Sequence, residues 1–198
     1  MEIKAGDLDY NATYKILTGA IVPRPIAWVT TQSSAGVVNA APFSAFTLVS
    51  PDPPLVLFLS SQRERRKDTE RNVRETKEFV VNIGDQACLH DLHMTSAELG
   101  PEQSETEQFA IPLTPSLSVR PPRIAGAPVC FECRLVQLLE FGNDPHTMII
   151  GQVEHFYLRD DIYTNGRIDQ SKLQPIARIG GPTYAHLGEF IHLSPPAR

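Results

Sequence analysis

Four cationic side chains stand just before a stretch with helical character, and together they suit the binding of a phosphate group. They are Arg63, Arg65, Arg66 and Lys67, and the predicted N-cap of the helix that follows is Asp68 or Thr69. A helix N-terminus offers unpaired N–H groups and the positive end of the helix dipole. Guanidinium and ammonium groups beside it favour a phosphate monoester. The alternative is a solvated charged turn in front of a helix.

A second candidate segment combines small residues, a proline and two hydrogen-bonding side chains. It runs Asn39-Ala40-Ala41-Pro42-Phe43-Ser44. Small residues let the backbone approach a flat ligand closely, and Asn39 and Ser44 add side-chain hydrogen bonds. The alternative is a structural one, a strand interrupted by a bulge with Pro42 at a sheet edge.

Other residues with chemical potential have structural explanations beside the functional ones. Trp28 is the only tryptophan and is expected in the core, while Thr30 and Thr31 point to opposite faces of a strand. His146 falls in a predicted hairpin turn, from which it could reach a ligand. The pair His90 and His93 has no obvious third ligand, so we expect a surface helix and no metal site.

The cysteines do not predict redox chemistry or a disulfide framework. Cys130 and Cys133 form a CxxC motif, but on an extended strand their Cα atoms lie about 10 Å apart with side chains on opposite faces. A disulfide needs a separation below about 7 Å. We therefore interpret both as structural thiols. The sequence also lacks a Walker loop, a GxGxxG motif, HExxH and GxSxG.

Composition predicts one globular domain, residues 1–198, that binds neither nucleic acid nor membrane. Hydrophobic residues make up 41% of the 198 residues, and the net charge is -5. A nucleic-acid-binding protein would need a basic face. No apolar run approaches the roughly 20 residues of a spanning helix. The N-terminus lacks the apolar core of a signal peptide, so we expect a cytoplasmic protein.

Short β-rich segments separated by proline and glycine predict a mainly β fold. Strands are expected at 26–31, 37–40, 43–49, 55–59, 78–83, 130–141 and 147–158, and helices at 68–76 and within 85–99. Strands and helices do not alternate regularly, which favours an antiparallel barrel over a doubly wound sheet. The segment 99–123 is predicted to be a long surface excursion.

Taken in order, several segments resemble the flavin reductase-like family of FMN-binding split barrels, which includes flavoredoxin. They are Tyr14 to Gly19, Pro23 to Thr31, Asn39 to Ser44, Lys67 to Thr69 with Asn72, Asp144 to Val153, and Arg178-Ile179-Gly180-Gly181-Pro182-Thr183-Tyr184. The resemblance runs from about Tyr10 to Tyr184, and its specificity lies in the ordered series of motifs. The segment Glu98 to Thr114 matches no family motif.

This resemblance implies a fold, a cofactor and a set of binding residues. The fold is a six-stranded antiparallel split β-barrel of Greek-key type with peripheral helices, working as a homodimer with FMN near the interface. The family's phosphate-binding positions map onto Ser60, Ser61, Arg66, Lys67, Asp68 and Thr69. Its ring-binding positions map onto Trp28, Val29, Thr30, Thr31, Asn39, Ala41, Pro42, Phe43 and Ser44. The C-terminal motif places Arg178, Gly181 and Tyr184 close to the open face of the flavin.

The activity implied is hydride transfer from NAD(P)H to the flavin, with a partner oxygenase as one destination of the electrons. FAD is an alternative to FMN. We expect His146 or Tyr184 to orient the nicotinamide. Two other hypotheses stay open, because a fold does not establish a reaction. One is a non-catalytic FMN-binding electron-transfer protein, and the other is a flavin-free β-barrel interaction module.

Overall fold

A computed structural model describes residues 1–61, 66–100, 103–143 and 145–196. Arg63 and Arg65 of the predicted phosphate site lie outside the described residues, as does Asp144 of the predicted hairpin turn.

Fourteen strands and five α-helices make up the described parts of the chain. The strands are β1 Arg24–Pro25, β2 Ala27–Gln32, β3 Val38–Phe43, β4 Phe46–Pro51, β5 Pro54–Ser61, β6 Glu78–Ile83, β7 Leu113–Thr114, β8 Arg123–Ile124, β9 Val129–Phe141, β10 His146–Leu158, β11 Tyr163–Thr164, β12 Arg167–Ile168, β13 Ala177–Arg178 and β14 Tyr184–Ala185. The α-helices are α1 Tyr10–Ala20, α2 Asp68–Thr76, α3 Leu89–Met94, α4 Glu105–Gln108 and α5 Gln170–Leu173. Short 3-10 helices occupy Ala5–Asp7, Gln86–Cys88 and Asp160–Ile162.

Seven strands form one antiparallel sheet in the order β3-β2-β6-β9-β10-β5-β4. The two edge strands, β3 and β4, are joined only by Ser44 and Ala45. Two residues let the strand ends lie at most about 11 Å apart, since consecutive Cα atoms are separated by about 3.8 Å. The sheet therefore has to curl until its edges meet. We call the line where β3 and β4 approach each other the seam.

Aromatic side chains fill the interior beside the seam. Phe43, the last residue of β3, lies 4.8 Å from Phe58 between ring centroids, and Phe58 lies 5.5 Å from Phe79. These rings pack with Val29, Val81 and other buried residues in one cluster, the inner core. The contact between Phe43 and Phe58 joins β3 to β5, the neighbour of β4, by packing where no β-ladder joins them.

Alternate residues of the same strands face a second apolar cluster, the outer core, which is covered by α3 and the segment after it. Trp28 belongs to this cluster, while its neighbours Ala27 and Val29 belong to the inner core. Cys130 belongs to the outer core, and Cys133 belongs to the inner core. The period-2 alternation of an extended strand explains both divisions.

A small separate sheet, in the order β1-β13-β14, brings the C-terminal motif beside the start of β2. Gly180 to Thr183 form the turn between β13 and β14, closed by a hydrogen bond from the Thr183 amide to the Gly180 carbonyl at 3.0 Å. Gly181 has a φ of 51°, in the left-handed region that favours glycine.

The mainly β barrel class predicted from the sequence is confirmed, although the strand count implied by the resemblance is not. The principal sheet has seven strands, as many as the strand segments predicted from the sequence, whereas the family resemblance implied six. Among the described residues, no helix combines the length and apolar character needed to span a membrane.

Candidate functional site

The predicted phosphate-binding helix exists with the predicted bounds, but its N-cap lies one residue before Asp68. α2 starts at Asp68 with Lys67 as N-cap, and Lys67 makes no capping side-chain hydrogen bond. Asp68 or Thr69 as N-cap was therefore wrong. Their side chains act elsewhere: Asp68 forms an ion pair with Arg71 at 2.7 Å, and Thr69 donates to Asn39. The first turn of α2 thus keeps its electropositive character without a capping side chain.

Hydrogen bonds between buried side chains join the start of α2 to the β3 segment. The Thr69 hydroxyl donates to Asn39 Oδ1 at 2.8 Å. One turn further along α2, Asn72 Nδ2 donates to the Thr31 hydroxyl at 3.0 Å. All four side chains are buried. The two segments predicted to bind the phosphate and the ring of one ligand therefore lie against each other.

Glu105, a residue that the sequence interpretation missed, completes this polar cluster. One carboxylate oxygen of Glu105 accepts hydrogen bonds from Asn39 Nδ2 at 2.8 Å and from the Ala40 amide at 3.1 Å. Burial raises the pKa of the Glu105 carboxyl above its ordinary value, and the bond from Asn39 opposes that shift. A signal for this helix was present, because Ser104 and Glu107 have capping-box spacing and the Ser104 hydroxyl accepts from the Glu107 amide.

The carboxylate of Glu70 is fully buried and pairs with two arginines. Arg66 lies just before α2, and Arg74 lies in its last turn. Glu70 Oε1 lies 3.1 Å from Arg66 Nε and 2.9 Å from Arg74 Nη2, and it accepts from the Thr147 hydroxyl at 3.0 Å. Arg66 also approaches Glu140, at 3.7 Å. The Arg66 side chain remains 45% exposed, so its guanidinium is positioned by Glu70 and still accessible from solvent.

The ends of β5 and β10 lead into the same region. Ser60 pairs with Thr147, and Ser61 pairs with His146. His146 is the first residue of β10, so its predicted place inside the turn was wrong by one residue. The Ser60 hydroxyl is buried and has no hydrogen-bond partner among the described residues. A buried hydroxyl without a partner is costly, which makes this position suited to a polar ligand group.

The β2 residues predicted to touch the ring have side chains that are buried inside the protein. Trp28 donates from Nε1 to the Thr95 hydroxyl at 2.9 Å, and Thr30 donates to the Pro122 carbonyl at 2.6 Å. Val29 and Thr31 are also fully buried. The observed role of these four residues is to position β3, and their contact with a cofactor stays a prediction.

The β3 segment itself can present peptide groups. β3 is an edge strand, and the Ala40 amide points away from β2 because it donates to Glu105. Backbone groups alternate sides along a strand, so Pro42 turns its carbonyl outward on the same edge and has no N–H of its own. Ala41, Pro42 and Ser44 are half-buried, and Phe43 is buried in the inner core.

The C-terminal motif assembles a separate group of polar side chains around Tyr184. Arg178 donates from Nη1 to the Tyr184 hydroxyl at 2.6 Å and stacks on its ring, 4.6 Å from the centroid. His93 Nδ1 lies 3.0 Å from the same hydroxyl. His93 was interpreted as a surface residue of α3; it is exposed, but its ring also packs edge-on against Tyr184. Nothing in the local sequence marks this pairing, since 91 positions separate the two residues.

The family model described as "Flavin reductase like domain" matches residues 19–172. This chain belongs to the flavin reductase-like family. The Bacillus subtilis (strain 168) protein YwrF is 42% identical, with 98% of each chain covered. The crystal structure of nitrilotriacetate monooxygenase component B from Bacillus cereus is 36% identical, covers 98% of each chain and superposes with a TM-score of 0.94. The Pseudomonas fluorescens 2-nitrobenzoate 2-nitroreductase NbaA is 33% identical, with 99% of this chain and 96% of that chain covered and a TM-score of 0.91.

The residues of this flavin reductase-like protein suit a flavin phosphate at the start of α2. The region combines the uncapped first turn of α2, the accessible Arg66 guanidinium and the unpartnered Ser60 hydroxyl. This donor set matches a phosphate monoester, which carries acceptor oxygens and negative charge.

The cysteines of the flavin reductase-like protein lie apart from this region. Cys88, Cys130 and Cys133 are buried and form no disulfide in the described parts of the chain. Burial raises the pKa of Cys88 and of Cys130 to about 12 and raises that of Cys133 as well. Their thiols are therefore protonated at neutral pH and are poor nucleophiles. Within the described residues, no group of three or more His, Cys, Asp or Glu side chains could hold a metal ion.

Proposed function

We propose that this flavin reductase-like protein binds FMN and reduces it with NAD(P)H. The observation that carries the proposal is the hydrogen bond between Thr69 and Asn39, which joins the electropositive start of α2 to the exposed edge of β3. One site can then hold the phosphate of a flavin at one end and its ring at the other. The family membership supports a flavin as the ligand.

Each part of the proposed site has a separate task. Ser60, Ser61, Arg66, Lys67 and Thr69 bind the phosphate with charge-assisted hydrogen bonds. The peptide groups of 41–44 bind the polar edge of the ring. The bound flavin supplies the redox chemistry, since it accepts a hydride at N5 and later releases the electrons. The chain therefore has to position and enclose the reactants, and the proposal requires no acid–base pair in the protein.

His146 and Tyr184 are the proposed contacts for the nicotinamide. His146 is the first residue of β10 and pairs with Ser61, next to the proposed phosphate region. Tyr184 lies in the small sheet, against the start of β2. Of the two, Tyr184 is the better supported, because hydrogen bonds to Arg178 and His93 fix the direction of its hydroxyl.

We also propose that the protein acts as a homodimer and delivers reduced flavin to an oxygenase. No residue of α1 is buried, although apolar side chains recur with helical spacing at Tyr10, Tyr14 and Leu17, followed by Ile21 at the C-cap. A helix with an exposed apolar stripe suits the surface of a second copy. The oxygenase is supported by the relative that is a monooxygenase component.

The test of the function is an assay of NAD(P)H oxidation by purified protein with added FMN, followed by absorbance. We expect turnover that saturates with FMN. Protein that binds FMN but oxidises NAD(P)H no faster than free FMN does would support the non-catalytic carrier instead. Protein that binds no flavin would support the interaction module.

The variant Arg66→Ala with Lys67→Ala tests the phosphate site. Removing two charge-assisted contacts should weaken FMN binding by about 3 kcal/mol, or roughly 100-fold, measured by quenching of flavin fluorescence. The matched control is Arg167→Ala with Lys172→Ala, which removes two exposed charges near β12 and α5. Equal FMN affinity in the wild type and in the first double variant would contradict the assignment.

A further inference from the structure

Two arginines face each other in the small sheet without an acidic partner. Arg24 of β1 and Arg178 of β13 are directly paired in register. Like charges directly opposite each other on neighbouring strands are destabilising. Among the described residues, neither guanidinium forms a salt bridge, although the whole chain carries a net charge of -5.

Neutral groups hold both guanidinium groups in place. Arg24 Nη2 donates to the Ile179 carbonyl at 3.0 Å, and Arg178 Nη1 donates to the Tyr184 hydroxyl. Arg24 Nε is buried and has no acceptor among the described residues. Neutral acceptors leave the positive charge of both groups uncompensated. An anion that carries oxygen acceptors would compensate this charge, since guanidinium groups bind such anions well.

The arginine pair lies at the end of the β3 segment that is remote from α2. Ala27, three residues after Arg24, pairs with Phe43, whereas α2 is bonded to Asn39 at the other end. Four residues of strand span about 13 Å. The arginine pair is therefore separate from the proposed flavin phosphate region and lies toward the proposed ring-binding end.

We propose that Arg24 and Arg178, the latter held in place by the Tyr184 hydroxyl, bind a phosphate group of the nicotinamide dinucleotide. The identity of this ligand rests on the proposed function, since NAD(P)H is the reductant there. Binding at this position brings the co-substrate to the ring end of the site and leaves the α2 end to the flavin.

The experiment measures NAD⁺ binding and reductant preference in FMN-loaded protein. Arg24→Gln and Arg178→Gln should each weaken NAD⁺ binding about tenfold or more by titration calorimetry, with a matching rise in KM for NADH. In Arg24→Gln, FMN affinity and oxidation of 1-benzyl-1,4-dihydronicotinamide, which has no phosphate, should not change. Arg24→Lys and Arg178→Lys should recover part of the binding, and Arg167→Gln is the exposed-arginine control.

The outcomes separate this inference from the proposed function. An equal loss for NADH and NADPH assigns the diphosphate, and a larger loss for NADPH assigns the 2′-phosphate. Unchanged affinity for both NAD⁺ and NADP⁺ in the two glutamine variants overturns the inference, and so does a loss of FMN affinity, which would assign the arginines to the flavin. A wild-type protein that oxidises neither reductant overturns the proposed function instead.

A second variant covers the case in which the glutamine variants do not fold. Tyr184→Phe removes only the hydroxyl that Arg178 contacts. It should weaken NAD⁺ binding severalfold and raise the KM for NADH by a larger factor than the KM for 1-benzyl-1,4-dihydronicotinamide, which has no phosphate. An effect of the same size on both reductants would overturn a phosphate contact here.

Discussion

Glu105 shows how a single side chain can connect a peripheral segment to the centre of the site. Its carboxylate accepts from Asn39 and from the Ala40 amide, so the segment between β6 and β9 helps to fix the path of β3. The carboxylate is buried, and burial penalises its charged form. The hydrogen bonds from Asn39 and Ala40 favour the charged form, and burial outweighs them.

The raised pKa of Glu105 predicts a pH dependence of stability. A carboxyl whose pKa is higher in the folded than in the unfolded state stabilises the fold below the unfolded pKa. That contribution is lost as the pH rises through the folded pKa. Relative to Glu105→Gln, the wild type should therefore lose free energy of unfolding as the pH rises above about 4, the ordinary pKa of a glutamate side chain, measured by urea denaturation.

Glu107→Gln is the matched control, since Glu107 lies exposed on the same helix. It should retain the wild-type pH dependence. Parallel pH curves for the wild type and for Glu105→Gln would show that Glu105 has no raised pKa.

At this scale the sequence predicts residue types better than residue contacts. Thr69 and Arg66 could be selected because hydroxyl and guanidinium groups near a helix start suit a phosphate, and Asn39 because its amide can bind a flat ligand. The contact of Asn39 with Glu105 and that of Glu70 with Thr147 could not be predicted. Glu105 lies 66 positions from Asn39, and Glu70 meets Thr147 across 77 positions. Local patterns carry no information about such pairings, which only the folded chain creates.

Among the elements, β10 contains a position where only glycine fits. Gly151 lies in mid-strand beside the inner core, and a Cβ there would collide with two ring atoms of Phe79, one of them at 2.8 Å. It would also lie 3.2 Å from Cys133 Cβ. The absence of a side chain lets the Phe79 ring pass close to the β10 backbone.

Gly151→Ala should therefore destabilise the fold by about 3 kcal/mol, measured by urea denaturation, because the core would be overpacked. Gly19→Ala is the control, since nothing lies within 4 Å of a Cβ at Gly19 and it occupies a helix. In a Phe79→Leu background, Gly151→Ala should cost clearly less. An identical cost in both backgrounds would exclude the proposed collision.

The first and last residues of helices and strands were predicted best where the sequence marks the boundary clearly. The bounds of α2 and β6 agree with the sequence prediction at both ends. For β9 and β10 the difference is one residue at the N-terminal end. By contrast, α1 was not predicted, although apolar residues recur there with helical spacing. The break between the strands predicted at 37–40 and 43–49 was placed too early, because Pro42 lies inside β3 and the bend at Ser44 and Ala45 carries no proline or glycine.

For the molecule as a whole, the exposed apolar stripe of α1 predicts a dimer. Tyr10, Tyr14 and Leu17 are 54%, 49% and 53% exposed, and they lie on one face of the helix. A charge placed on that face would be buried without a partner in a dimer. Leu17→Glu should raise the dimer dissociation constant at least about tenfold, measured by analytical ultracentrifugation.

Lys15→Glu is the control for charge, because Lys15 lies on the opposite face of α1. It changes the net charge more than Leu17→Glu does and should leave the dimer intact. A wild-type protein that sediments as a monomer at all accessible concentrations would refute the dimer.

The seam between β3 and β4 has a consequence for how this barrel can diverge. Under the proposed function, the ring of the ligand is recognised along β3 by main-chain atoms, which every amino acid except proline supplies alike. Substitutions along that edge can then accumulate without abolishing recognition, provided that the strand keeps its course. A tolerance of this kind would let homologues use new electron acceptors by changing the side chains around the site, while the main-chain atoms that bind the ring stay the same.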